Sequence, residues 1–479
     1  MTYEEYRAAL IEGFYQNQLE TLMSNYRVDQ PTVILLPGIM GSQLERTNKP
    51  YPDHAVISDI IWMDIGIAFK KDALGLEIDG QERDLNSYVV AAYGALSFGG
   101  ETPYNELKDL ALKEHWNYAV FGYDWRRPLA ESSEFFKTFV RDFRQRVIDI
   151  HGPKHDPLPN LTIVCHSMGG LVATEALRDQ SFSGLGFRAV LTFGTPFYGS
   201  ASAQNAFYVG MPGILNDIYK APTIVRLISS FAGAYSLMFL PKEVYDRDGG
   251  QLGLSRYPEY DPNGNEPVDP YDSDPAVMRR WPKDVKSHRQ YLVAAKQQLI
   301  NIASPINANV VPVFFNVRSS LDRTTAVAVS WNNIDGDKYV PGSDPSPLTG
   351  VGGAPGGDGT VPAWSAWHVH CRSQNRHELK RAKEHGKLME HPEVLSVVKS
   401  IVRTGKLPSA RMSRTKVSSV ASKRQIEKIT KKWVTSAENK KPPPPELFQK
   451  SVLRAIVTDL MNGPKPPSTL PAKRSKRTK

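Results

Sequence analysis

The run Leu161–Val164 (LTIV) leads straight into CHSMGGLVATEAL, and that junction restricts the folds open to the chain more than any other stretch. A β-branched run, a turn of small residues and then a helical pattern form a strand-to-helix elbow, which projects a serine hydroxyl above a sheet. Ser167 is therefore the candidate nucleophile. The usual pattern is G-x-S-x-G, and here Cys165 takes the first position while Gly169 and Gly170 fill the far side. Cysteine is small enough for the turn. An ordinary helix-capping serine is the alternative reading.

The surroundings of the elbow favour an α/β architecture. Further short runs, Thr32–Leu36, Tyr118–Phe121, Ala189–Phe193 and Val310–Val317, alternate with helical patterns. Runs without apolar/polar alternation suit parallel strands covered on both faces. The expected organisation is an N-terminal helical segment (1–30), a mostly parallel sheet domain (31–402) and a basic, Pro-containing tail (403–479). Residues 50–100 show no strand pattern, and an apolar lid is expected near 50–80. A helical cap is expected over about 200–300. Within it, Ile224–Pro241 is apolar but interrupted by Arg226, Ser229, Ser230 and Ser236, so a cap helix is expected there in place of a membrane span.

Charge separates the body from the tail. Ile401–Lys479 holds 20 Lys and Arg against 4 Asp and Glu, which leaves 39 against 46 for the rest, so the net charge of +9 comes from the tail alone. The apolar positions Leu447, Phe448, Val452, Ile456 and Leu460 fall on helical spacing, as in an amphipathic anchor for an anionic bilayer. Nucleic acid is the less favoured partner, and a merely solvated tail stays open. Two cysteines exclude a disulfide scaffold. The acid-bearing N-terminus lacks the basic start of a secretory signal, so a cytoplasmic location is expected, with peripheral membrane contact through the tail.

An acyl-transfer site needs more than the serine. A helix N-terminus favours developing negative charge, so the Met168 amide is one expected oxyanion donor. The loop PGIMGS directly after Thr32–Leu36 offers the second, with Ile39 preferred over Met40; an ordinary glycine-rich turn is the alternative.

LLPGIMGSQLE, FGYDWRRPL, CHSMGGL, FGTPFYGS and GDGTVP, in that order, resemble the lecithin:cholesterol acyltransferase family of α/β-hydrolases, which includes lysosomal phospholipase A2 and phospholipid:diacylglycerol acyltransferases. The resemblance spans Thr32–Val402 and implies an α/β-hydrolase fold. It also implies Asp358, in GGDGTVP, as the acid, and His385 as the base ahead of Leu388–Met389 and a final helix. A flexible glycine loop or weak metal turn is the other reading of Asp358, and His391 is the other candidate base. WMDIGIAF resembles the family's lid, in which Trp62 would touch the membrane or the acyl chain; core packing is the alternative. The implied activity is a serine acyl-ester enzyme acting on glycerophospholipid acyl chains through an acyl-enzyme, without cofactor or metal. A triacylglycerol lipase, a small-ester esterase and a catalytically idle lipid-surface adaptor are the competing readings. The acyl acceptor and the oligomeric state are not legible.

Overall fold

A computed structural model describes residues 3–47, 59–62, 76, 78, 89–211, 221–254, 257–260, 268–274, 277, 281–322, 324, 328–329, 356–408, 423–439 and 441–462. Most of the expected lid segment 50–80 lies outside them.

The fold is α/β, a mostly parallel central sheet flanked by helices. Six parallel strands form the central sheet in the order β11-β9-β7-β6-β1-β5. These are β1 (Thr32–Leu36), β5 (Asn117–Val120), β6 (Leu161–His166), β7 (Ala189–Phe193), β9 (Phe314–Arg318) and β11 (Arg376–Glu378). Every residue of β1, β6, β7 and β9 is buried. That two-sided burial is why the sequence shows continuous apolar runs there. The expected strand from Val310 starts later, because Val311–Val313 forms a 3-10 turn around Pro312, which has no N–H to give a ladder. Leu36 sits opposite Cys165 in register, so PGIMGS and the serine elbow leave the sheet side by side at its carboxyl end. Sites of open α/β sheets lie at that end.

Residues 42–95 depart from expectation. β2 (Ser42–Thr47), β3 (Asp59–Trp62) and β4 (Val89–Ala95) pair antiparallel as a second sheet, order β3-β2-β4. Register shifts opposite Leu44 place an extra residue in β3 and in β4, which breaks the period of two in both, and β2, SQLERT, carries Leu44 as its single apolar residue. Glu259–Tyr260 (β8) and Ala328–Val329 (β10) make a two-residue pairing.

Helices cover the sheet: α1 (Tyr3–Ser24), α2 (Asn105–Lys113), α3 (Leu129–His151) and α4 (Met168–Ala176). Over the carboxyl end lie α5 (Ala201–Val209), α6 (Ala221–Ser230) and α7 (Ala232–Tyr235), with Lys242–Leu252 and Arg289–Ile302 behind them. The apolar stretch from Ile224 is broken at Phe231, between α6 and α7. Among the described residues no helix is long and apolar enough to cross a membrane.

The tail differs most from its sequence reading. After α8 (Pro392–Thr404) come α9 (Lys423–Glu438) and α10 (Lys450–Met461). The expected anchor face is not presented to a bilayer: Leu447, Val452, Ile456 and Leu460 are buried in the main core, and of the five positions only Phe448 is exposed. The spacing was helical, but an apolar helix face packs as well on a protein as on a lipid surface.

Candidate active site

Ser167 occupies the elbow with φ 53° and ψ −125°, a backbone conformation that costs a non-glycine residue energy and persists only where its surroundings hold it. Its amide donates to the Phe193 carbonyl at 2.9 Å, and its own carbonyl accepts from the Gly170 amide at 3.0 Å and the Thr195 hydroxyl at 2.9 Å. The glycines allow the fit. A Cβ on Gly169 would lie 2.4 Å from the Leu36 carbonyl oxygen, and one on Gly170 would lie 2.0 Å from Thr195 Oγ1. Cys165, the departure from the usual motif, is a buried packed residue whose thiol burial pushes far up in pKa.

Asp358 and His385 meet beside the elbow. His385 Nδ1 lies 2.7 Å from Asp358 Oδ2, and both side chains are about 2% exposed. The His385 amide donates to the Asp358 carbonyl at 2.8 Å, and Asp358 Oδ1 accepts from the Thr360 and Val361 amides at 3.1 and 2.8 Å. The second carboxylate oxygen is thereby left to the imidazole. His391, the alternative base, instead caps α8, its Nδ1 accepting from the Glu393 amide at 3.1 Å.

PGIMGS packs against the elbow: a Cβ on Gly38 would stand 2.9 Å from Ser167 Cβ. Ile39 and Met40 line the same cavity as Ser167 and His385, and Met168 opens α4 directly after the serine. A chain of buried polar groups ties these parts together. The Gly38 amide donates to the Tyr104 hydroxyl, 3.1 Å; that oxygen lies 3.3 Å from His166 Nδ1, and His166 Nε2 lies 3.1 Å from the His385 carbonyl. Burial holds the His166 pKa well below its usual value, so the ring is neutral and donates to the His385 carbonyl through Nε2.

Trp62 is not at the surface. It is 2% exposed in β3, donates through Nε1 to the Met40 carbonyl at 2.9 Å and meets Trp125 edge-on at 5.5 Å. Contact with a bilayer in this conformation is ruled out by that burial, whereas its place in the cavity wall is compatible with contact to an acyl chain. The cavity itself is walled by Trp62, Trp125, Phe207, Ile228, Leu237 and Met461, an almost wholly apolar set.

The sequence alone assigns YDWRR no task. The structure provides one for each residue of YDWR. The Tyr123 hydroxyl donates to the Pro37 carbonyl at 2.8 Å, and Trp125 Nε1 donates to the Ser42 carbonyl at 3.3 Å while its ring walls the cavity. Arg126 forks onto Asp124 at 2.9 and 2.7 Å and donates to the Leu76 carbonyl at 2.9 Å. Burial works against the Asp124 charge, but the Arg126 guanidinium outweighs it and holds the carboxyl below the usual range.

The model of the lecithin:cholesterol acyltransferase family matches residues 107–284, a stretch that includes YDWRR and the serine elbow. The family resemblance read from the motifs holds. Among curated proteins, the uncharacterized protein YJR098C of Saccharomyces cerevisiae is 24% identical over 234 residues, which are 48% of this chain and 31% of that protein. The chain thus spans about a third of the length of the curated relative it matches. Among solved structures, the Tle4–Tli4 complex aligns at 13% identity over 79% of this chain and 99% of the other, TM-score 0.49. The lipase BlEst2 of Bacillus licheniformis aligns at 12% identity over 79% and 96%, TM-score 0.31.

Proposed function

We propose that the protein is a serine acyl-ester enzyme whose substrate is a glycerophospholipid acyl ester. The observation that carries this reading is the buried His385–Asp358 pair at 2.7 Å, with His385 and Ser167 lining one apolar cavity. Ser167 Oγ attacks the acyl carbonyl while His385 Nε2 takes its proton; Asp358 fixes the tautomer and stabilises the imidazolium. The oxyanion is held by the Met168 and Ile39 amides. His385 then returns the proton to the leaving alcohol, and the acyl group stays on Ser167. Water or a lipid alcohol, deprotonated by His385, then attacks the acyl carbon; its bond to Ser167 Oγ breaks, and His385 returns the proton to that oxygen. The apolar wall suits a hydrocarbon chain and offers little to a small polar ester. A cytoplasmic protein meeting anionic bilayers through the Lys and Arg of its tail completes the reading, with charge as the attraction and no part for the buried 447–460 face.

The test is incubation with labelled phospholipid, with and without added sterol or diacylglycerol, followed by product analysis. Wild type releases lysophospholipid, and either free fatty acid or an acylated acceptor appears. Ser167→Ala and His385→Ala each lose turnover by orders of magnitude, and the double variant is hardly worse, because such groups act as a unit. Turnover retained in a folded Ser167→Ala protein rejects the assignment, and turnover of short soluble esters alone moves it to a small-ester esterase.

A further inference from the structure

The C-terminal helix α10 ends against the loops that hold His385 and Asp358, although it lies beyond the family-matched residues and beyond the expected catalytic domain. Asn462, the first residue after α10, is buried and serves both loops. Its side-chain Oδ1 accepts from the amide of Gly386, the residue after His385, at 2.7 Å. Its main-chain carbonyl accepts from the hydroxyl of Thr360, two residues after Asp358. Thr360 in turn donates its amide to Asp358 Oδ1 at 3.1 Å.

The approach is close because position 386 has no side chain. A Cβ on Gly386 would stand 2.5 Å from the Thr458 carbonyl oxygen and 3.1 Å from Met461 Cβ. Met461 continues into the cavity wall. Two turns back, Arg454 fastens the helix, donating to Glu390 at 3.1 Å and Glu106 at 2.8 Å. The His385 side of the site is thus braced by His166 at the residue-385 carbonyl and by Asn462 at the residue-386 amide.

We propose that Asn462 is a positioning residue for acyl transfer: through Gly386 and Thr360 it fixes the His385 loop against the Asp358 loop, so that α10 completes the catalytic site. The proposal rests on His385 being the base. Without the side-chain acceptor, the Gly386 amide is left buried and unpaired, and the loop shifts to recover a partner. Displacements of a fraction of an ångström to an ångström at a catalytic group cost about tenfold to a hundredfold in rate.

The test uses the full chain, with Asn462→Ala and Asn462→Asp, a soluble fatty-acyl ester as substrate and a fluorophosphonate probe for Ser167. Asn462→Ala is expected to lose about tenfold or more in kcat per folded molecule, with KM little changed. Asn462→Asp keeps the acceptor. It should recover most of kcat above the acidic limb of the pH profile and move that limb to higher pH, because a carboxylate beside the loop favours the imidazolium. Wild-type kcat per folded molecule in Asn462→Ala overturns the proposal. So does an Asn462→Asp protein with an unmoved limb, which carries the test if the alanine variant does not fold. Failure of the functional reading itself looks different: wild type then neither labels at Ser167 nor turns over the ester.

Discussion

Gly194 shows how tightly single atoms are arranged at this site. It follows β7 in FGTPFYGS with φ +56°, and a Cβ there would stand 2.7 Å from Asp358 Oδ2 and 3.1 Å from His385 Nδ1. Gly194→Ala should therefore separate the acid from the imidazole and lower kcat by at least tenfold, with little change in affinity for substrate. Steady-state kinetics on a soluble ester checks this, and unimpaired kcat would show that the pair tolerates displacement. Ser167 was proposed from a short local pattern, and Asp358 and His385 from the family resemblance; the structure brings the latter two together at 2.7 Å. Their supports were not legible in the sequence. Gly194, Tyr104, His166 and Asn462 meet the site from four separate segments, and sequence spacing carries no signal for a contact between residues 386 and 462.

At the scale of elements, the parallel strands announced themselves by unbroken apolar runs, whereas β2–β4 did not, because bulges opposite Leu44 obscure the alternation of β3 and β4 and β2 is mostly polar. The amphipathic pattern of α10 was visible, but its partner was not: period reports which face is buried, never against what. The ion contacts that dock α10 carry a pH signature. Glu390 lies between Arg454 and solvent-poor protein, and burial, with Glu106 adding to it, pushes its pKa up to about 7 against the pull of Arg454. A raised carboxyl pKa means that the folded state keeps a proton the unfolded chain has released. The group's stabilising contribution is therefore full below about pH 4.5 and fades as pH rises through about 7, by on the order of 2–3 kcal/mol. Thermal unfolding from pH 5 to 8 should show wild type losing stability relative to Glu390→Gln, whose side chain does not titrate. Parallel curves for the two proteins would count against this account.

For the molecule as a whole, Asn462 divides the C-terminal region into a part that builds the site and a part that adds charge. Residues 463–479 carry six Lys and Arg and no acid. Deleting them should leave turnover of a soluble ester intact and weaken cosedimentation with anionic vesicles, most at low salt, where the Debye length is longest. Deletion from residue 450 should abolish turnover as well. Equal vesicle binding by wild type and the 463–479 deletion would reject charge as the membrane contact, and preferential retention on nucleic acid would reassign it.

If the proposed site is the working one, the docking of α10 also orders its assembly. A chain made from its N-terminus acquires the elbow, then the acid, then the base, and residue 462 follows the base by 77 positions. A nascent chain that has folded its whole central sheet still lacks the brace on its His385 loop. On the proposed reading, a chain cut short of residue 462 would carry all three proposed catalytic residues and still lack the contact that seats the His385 loop.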